Sequence, residues 1–266
     1  MRFAVVGHIE WIEFIRVERV PRQGEIVRAR ETWREPAGGA AVAAVQIARL
    51  AGSCELFTAV GDDEAGQQAV AQLGELGVRV RQVERARPTR RGVTFVDDAG
   101  ERSITVVGEK LAPSLDDTLP WWSLQSCAAV YFTGGDAGAL RTARLASVLT
   151  ATSRELKVLQ EAAVELDALI GSAYDPGEAY ADGELTPKPR LVVRTEGAAG
   201  GVAEPGGRWR AAPLPGPVVD DYGCGDSFAA ALTYGLGAGL TRDAALELAA
   251  RCGAEALCRR GAYGLA

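Results

Sequence analysis

The sequence predicts an α/β fold: a mostly parallel sheet with helices on both faces, and a second, smaller sheet standing apart from it. Three observations lead there. From residue 38 onward, short apolar runs alternate with Ala- and Leu-rich stretches of helical length. Two patches, His8 to Trp33 and Arg91 to Val107, instead alternate apolar and polar residues in the half-exposed antiparallel manner. Finally, Gly7, Gly61, Gly134-Gly135 and Thr195-Glu196-Gly197 each fall just after an expected strand, so they gather at the carboxyl ends, where such sheets hold ligands.

The elements follow in order. Phe3 to Val6, ended by Gly7, reads as a buried strand that opens the core sheet. In the first patch, Phe14 to Val20 and Ile26 to Arg30 are strand-like pieces separated by Pro21-Arg22-Gln23-Gly24-Glu25. Gly38 to Leu50 is an Ala-rich helix closed by Gly52; Glu55 to Val60 is a strand; Asp62 to Leu76 is a helix with acids at its start and Gly77 behind it. The second patch sets Gly92 to Val96 and Ser103 to Val107 about the turn Asp97 to Glu101. After it come a strand at Ala128 to Thr133, a helix at Ala139 to Thr150, short strands at Leu156 to Gln160 and Ala168 to Ile170, and a strand at Leu191 to Arg194. Asp175 to Arg190 and Glu204 to Pro217 read as loops, and Phe228 to Leu236 as an apolar helix.

Composition sets the outer limits. With 266 residues and 47% hydrophobic content the chain can bury a large core and is neither disordered nor fibrous. A net charge of -6 with scattered arginines argues against nucleic acid as a partner, while leaving room for a small anion at a local site. Lysine stands only at 110, 157 and 188. The five cysteines, 54, 127, 224, 252 and 258, have no Cys-x-x-Cys spacing, and the N-terminus reaches acidic and aromatic residues too soon for a secretory leader. No apolar run is long enough to span a bilayer. A reduced, cytoplasmic protein without a membrane partner is the expectation.

Chemistry concentrates at Asp220-Asp221-Tyr222-Gly223-Cys224-Gly225-Asp226, where a Gly-x-Gly turn delivers an aspartate to the start of a helix. The turn's free amides and the positive end of the helix would face an anion, and Asp226 is placed to take a proton from a hydroxyl attacking phosphorus. A plain N-cap is the alternative for Asp226. Asp136, after Thr133-Gly134-Gly135, is open to the same two readings, substrate contact or cap. A nicotinamide-dependent dehydrogenase would need a G-x-G-x-x-G after the first strand, which Gly7-His8-Ile9-Glu10-Trp11 does not supply.

Taken together these residues resemble the ribokinase-like (PfkB) family of sugar and nucleoside kinases over essentially the full chain. The resemblance rests on Gly38-Gly39, on Val60-Gly61-Asp62-Asp63-Glu64-Ala65-Gly66, on Thr195-Glu196-Gly197-Ala198-Ala199-Gly200 and on Asp220 to Asp226, in that order. It implies one ribokinase-like kinase domain over 1–266, with a β-sheet lid formed by about 9–35 and 89–107, that phosphorylates a hydroxyl of a small sugar or nucleoside with ATP. Asp226 would be the base, and Gly223, Cys224 and Gly225 the anion hole. Thr195, Gly197 and Gly200 would flank the nucleotide. Gly38, Gly39, Glu10 and Asp136 would meet the acceptor. The resemblance implies Mg2+ near Asp175 and Glu178, and it allows a monovalent cation and a homodimer built through the lid.

The chain departs from the family at informative places. Asp221 and Cys224 replace the signature threonine and alanine, and Ser172-Ala173-Tyr174-Asp175, with Glu178 beyond it, stands where the family has N-x-x-E. Ala40 and Ala43 follow the glycine pair in place of a polar lysine and asparagine, and Glu10 and Ile12 stand where ribokinases have Asn and Asp. Cys224 at a helix N-terminus is either a reactive thiol or a small residue whose amide binds. His8, the single histidine, is either structural or a ligand contact. These losses keep a second reading open, a catalytically weak sugar- or nucleotide-binding regulatory protein on the same fold.

Overall fold

The computed structural model describes residues 1–264. In chain order its elements are β1 (Phe3–Val6), β2 (Glu10–Arg16), β3 (Glu31–Ala37), α1 (Gly39–Ala51), β4 (Cys54–Gly61), α2 (Glu64–Glu75), β5 (Val78–Arg85), β6 (Arg91–Val96) and β7 (Arg102–Val107). There follow β8 (Ala129–Phe132), α3 (Ala137–Ala143), β9 (Val148–Thr152), α4 (Leu156–Ala162), β10 (Ala168–Ser172), β11 (Val192–Thr195), β12 (Gly201–Glu204), β13 (Gly207–Trp209), α5 (Cys224–Gly237) and α6 (Arg242–Leu257).

Nine strands form the main sheet in the order β13-β12-β11-β10-β9-β8-β1-β4-β5. Every pair from β5 to β11 is parallel, and β12 and β13 close one edge antiparallel. β1 and β8 are interior strands, paired on both sides, and are buried along their whole length, which is why they read as unbroken apolar runs. Their side chains alternate between two cores. Phe3, Val5 and Tyr131 face α1, α5 and α6, while Ala4, Val6, Val130 and Phe132 face α3 and α4. The alanines of α1 and α5 let those helices approach the sheet and each other closely. Three layers result, as expected from the alternation of strands and helices.

The small sheet has the order β3-β2-β6-β7. Its central pair β2 and β6 is parallel, with Trp11 opposite Arg91, whereas the two hairpin-like pairs are antiparallel. The sequence patches imply an antiparallel sheet throughout; alternation reports a half-exposed face and is blind to strand direction. Phe14 anchors this sheet, stacked on Trp33 at 5.0 Å and edge-on to Tyr222 at 5.1 Å. β7 is exposed at all six positions and forms an open edge.

Four other expectations need correction. Ala139 to Thr150 is not one helix: α3 ends at Ala143, and the apolar tail becomes β9, which must be apolar because it is buried between β8 and β10. Leu156 to Gln160 is the start of α4 rather than a strand, with Leu159 on its buried face. Ile26 to Arg30 forms no strand, and Ile26 is fully exposed. The stretch Glu204 to Pro217 is not all loop, since it contains β13.

Candidate active site

Gly223 enters α5 in the left-handed conformation (φ 74°), and a side chain there would stand 2.9 Å from Val42. This turn aims the first amides of α5 at the carboxyl ends of the parallel strands. Those amides have no partner within the helix, and the helix dipole adds positive potential. At Gly225 no atom beyond its own helix backbone and chain neighbours stands within 4 Å of where a Cβ would be, so the space there is open. Burial pushes the Cys224 thiol up from its ordinary value, so the residue lacks the thiolate character of a reactive cysteine.

Asp226 sits one residue further, on the first turn of α5. A Cβ on Gly39 would lie 3.0 Å from Asp226 Oδ1 and 2.9 Å from Thr133 Oγ1. The glycine pair is therefore needed for close approach, because any side chain at 39 would fill the space in front of the carboxylate. Gly38 caps α1 at φ 85° and donates its N–H to the Tyr222 hydroxyl at 3.3 Å, which ties α1 to the signature loop. Burial pushes Asp226 up to about 6; Glu178 and Glu10 act in the same sense, and Arg102 and Arg154 oppose them. A carboxyl in that range is a competent proton acceptor near neutral pH.

Arg102, at the start of β7, crosses from the small sheet to the signature loop. Its Nη1 donates to the Asp221 carbonyl at 2.6 Å and lies 3.3 Å from Asp221 Oδ1, and the guanidinium stands 5.3 Å from the Tyr222 ring centre. The aspartate that replaces the signature threonine is thus the partner of a lid arginine. The small sheet covers the entrance to α5 through this contact and through Phe14 on Tyr222.

Asp175 and Glu178 are brought together by Arg154, which donates to Asp175 Oδ2 at 2.5 Å and to Glu178 Oε1 at 2.7 Å. The second oxygen of Glu178 accepts the Ser172 amide at 2.7 Å. Sequence reasoning missed Arg154, which no spacing rule connects to residues 175 and 178. Among the described residues no group of three or more His, Cys, Asp or Glu side chains is arranged to hold a metal ion.

Thr195 ends β11, beside Ser172 at the end of β10. Gly197 (φ 57°) has open space where a Cβ would be, whereas Gly200 is pressed against β13, with a would-be Cβ 2.2 Å from the Trp209 carbonyl oxygen. The two glycines differ in kind: one leaves room for a ligand and the other lets the loop fold. Glu196 pairs with Arg208 across that turn.

Glu10 and His8 lie beside Gly38, where a Cβ would be 3.2 Å from Glu10 Cγ. Glu10 Oε1 is 3.4 Å from His8 Nε2 and 3.2 Å from Arg90 Nη1. Burial alone would raise Glu10, yet His8 and Arg90 hold it below the ordinary glutamate value; burial lowers His8 and keeps it neutral. Lys110 pairs with Glu155 close by. Lys110, Arg90 and Glu155 were not found from sequence, and the rarity of lysine was the one signal on offer. Asp136 is a helix cap. Its carboxylate accepts from Ala139 N at 2.7 Å, Ser114 Oγ at 2.6 Å and Leu115 N at 3.1 Å, which fills it. Asp63 is likewise structural, capping α2 through Gly66 N at 2.9 Å and tying down Thr89.

The fold is thus a three-layer α/β sheet with a covering sheet, and it sets an aspartate at a helix start behind a glycine pair. The chain belongs to the pfkB family of carbohydrate kinases, whose profile matches residues 2–157 and 136–265. Among curated relatives it is 27% identical to the ATP-dependent ribose-1-phosphate kinase of Halopiger xanaduensis over 98% of this chain and 94% of that one. It is 28% identical to fructoselysine 6-kinase of Shigella flexneri over 85% of this chain and 91% of the relative. Its fold matches the crystal structure of a putative ribokinase from Agrobacterium tumefaciens with a TM-score of 0.82, at 19% identity, covering 99% of this chain and 93% of that one. Among the described residues no helix is long and apolar enough to cross a membrane.

Proposed function

We propose that this carbohydrate kinase transfers the γ-phosphoryl group of ATP to a primary hydroxyl of a small sugar, with Asp226 as base. The observation that carries this reading is the setting of Asp226: on the first turn of a helix whose amides are unpaired, facing the gap that Gly39 keeps open, with its carboxyl at about 6. Asp226 takes the hydroxyl proton as the acceptor oxygen bonds to phosphorus; the bond from phosphorus to the ADP oxygen breaks, and its electron pair leaves with ADP. The amides of Gly223, Cys224 and Gly225 hold the equatorial oxygens of the phosphoryl group in flight. Arg102 holds the covering sheet on that loop and excludes water from the transfer.

The nucleotide fits the residues present. Open space at Gly197 and at Gly225 provides two cradles, and Thr195 stands beside the first at the end of β11. Magnesium would supply neutralisation of phosphate charge at this site. The Asp175 and Glu178 carboxylates fit a hydrated ion held mainly by phosphate, with Arg154 as their standing counter-charge. The relatives' acceptors, by name ribose 1-phosphate and fructoselysine, are both substituted sugars, and the charged side chains around Glu10 support a substituted sugar over a plain one here. In this reading residues 1–266 work as one domain in the cytoplasm, with the lid from about 9–35 and 89–107. The open β7 edge, with Ile104, Val106 and Val107 exposed, fits a second copy of the chain.

The test is ADP release with Mg-ATP against a panel of sugars, substituted sugars and nucleosides, with Asp226→Asn alongside. The expected result is turnover on one acceptor class and loss of at least about a thousandfold in the variant, with ATP still bound. Full activity in Asp226→Asn would remove the base from this mechanism. Silence across the panel, with nucleotide and sugar still binding, would make the protein a regulatory binder.

A further inference from the structure

The acceptor side of the site holds more charge than hydroxyl groups require. Glu10, Arg90, Lys110 and Glu155 converge there with His8, although they come from four separate segments. Lys110 owes its place to Gly134: a Cβ on that glycine would stand 3.2 Å from Lys110 Cε, 3.3 Å from its Nζ and 3.5 Å from the His8 amide nitrogen. Lys110 pairs with Glu155, and Glu10 with Arg90. Two atoms of the cluster are buried without a partner, Nδ1 of His8 and Nε of Arg90. His8 itself is nine-tenths buried. Its neutral ring donates Nε2–H toward Glu10, which leaves Nδ1 as an acceptor, while Arg90 Nε is a donor. The cluster thus keeps a buried acceptor and a buried donor in addition to its charges.

Charge then selects the class. With His8 neutral, Arg90 and Lys110 balance Glu10 and Glu155, so the cluster is neutral overall while charged throughout. A sugar phosphate brings net negative charge and meets two carboxylates along with the two cations. A plain sugar brings only hydroxyls to two partly buried ion pairs. A zwitterion matches both signs. We infer that the acceptor is a sugar carrying an amino-acid substituent, its carboxylate received by Lys110 and its ammonium by Glu155, whose mutual pair opens to admit it. The inference rests on the kinase reading above for which end of the ligand reacts. Thr133 adjoins Gly134 and also faces Gly39, which in turn fronts Asp226, so a hydroxyl can reach the base while the substituent reaches Lys110.

Three probes share one ring and differ at one substituent: fructose, fructose 1-phosphate and N-fructosylglycine. Calorimetry on the full chain without nucleotide should show N-fructosylglycine binding at least about tenfold more tightly than either of the others. Lys110→Met and the isosteric Glu155→Gln should each weaken that binding about 30-fold, with fructose binding changed less than about threefold. Equal or tighter binding of fructose or fructose 1-phosphate would overturn the inference, as would no binding of N-fructosylglycine, or two variants that bind it as the wild type does. ADP release is read separately. Selective binding without turnover of any probe would sink the kinase reading and keep the zwitterion site, whereas turnover without preference would do the reverse.

Discussion

If Asp226 is the base, its ionisation should set the acid limb of the rate profile. With the carboxyl at about 6, roughly nine in ten molecules carry the carboxylate at pH 7 and one in ten at pH 5, so kcat/KM for the acceptor should fall about tenfold across that interval. The structure also gives the sign of two perturbations. Burial is the largest cause of the high value; Glu178 and Glu10 add to it, and Arg102 and Arg154 oppose it. Removing the positive charge in Arg102→Met should move the limb to higher pH and make the fall steeper than tenfold. Removing the negative charge in Glu178→Gln should move the limb to lower pH and make the fall shallower. The assay is ADP release at saturating Mg-ATP with varied acceptor, from pH 5 to pH 8. Both residues touch other parts of the site, so the midpoint is read and not the height. Protonation of the nucleotide is common to all three proteins and cancels in the comparison. A wild-type profile flat between pH 5 and pH 7, or two variants whose midpoints move in the same direction, would refute the assignment of the base and its electrostatic surroundings.

Three further outcomes follow from named contacts. Gly39→Ala places a methyl group 3.0 Å from Asp226 Oδ1, and kcat/KM should drop about tenfold or more while thermal melting changes little, because alanine is otherwise the better helix residue. Gly225→Ala fills the open cradle without touching other protein atoms, so it should leave the melting temperature alone and cut kcat about a hundredfold in the same assay. Glu35, on β3, is 2% exposed and accepts the Ala262 amide, and burial pushes its carboxyl up to about 7. A raised carboxyl contributes stability below its unfolded value of about 4.5 that is lost as pH rises through the folded value, here about 3 kcal/mol by pH 8. Wild type should therefore melt about 6–10 °C lower at pH 8 than at pH 5 on this account, and Glu35→Gln should show a clearly smaller difference in a calorimetric scan, the remainder coming from the raised Asp226 carboxyl. A wild type that gained stability with rising pH would refute it.

The parts of this protein that could be read from its sequence are those whose physics is local. On the proposed mechanism Asp220 to Asp226 is contiguous because a helix start must present its amides and its aspartate to one phosphoryl group, so backbone and base cannot drift apart along the chain. The same holds for Gly38-Gly39, which open a helix and clear space in front of that base. β1 and β8 were legible because central parallel strands are buried on both faces and therefore run apolar without interruption. That same property made β9 look like the end of a helix, since Leu-Thr-Ala-Thr between two buried strands has no period to reveal it. The acceptor pocket was illegible for a different reason. His8 and Glu10 follow β1, Arg90 precedes β6, Lys110 follows β7 and Glu155 follows β9, and only the placement of β1 next to β8, together with the lid folded over both, brings them into contact. Each would pass alone as an ordinary surface charge. On the proposed mechanism the signature loop is held by a reaction common to the family, and the acceptor site by whatever molecule this chain phosphorylates. The class of enzyme is therefore written in contiguous motifs, while the acceptor is written in residues scattered over about 150 positions. A partly buried charge set against its opposite far along the chain, as Lys110 is against Glu155, is the surest sign in this chain of where the difference lies.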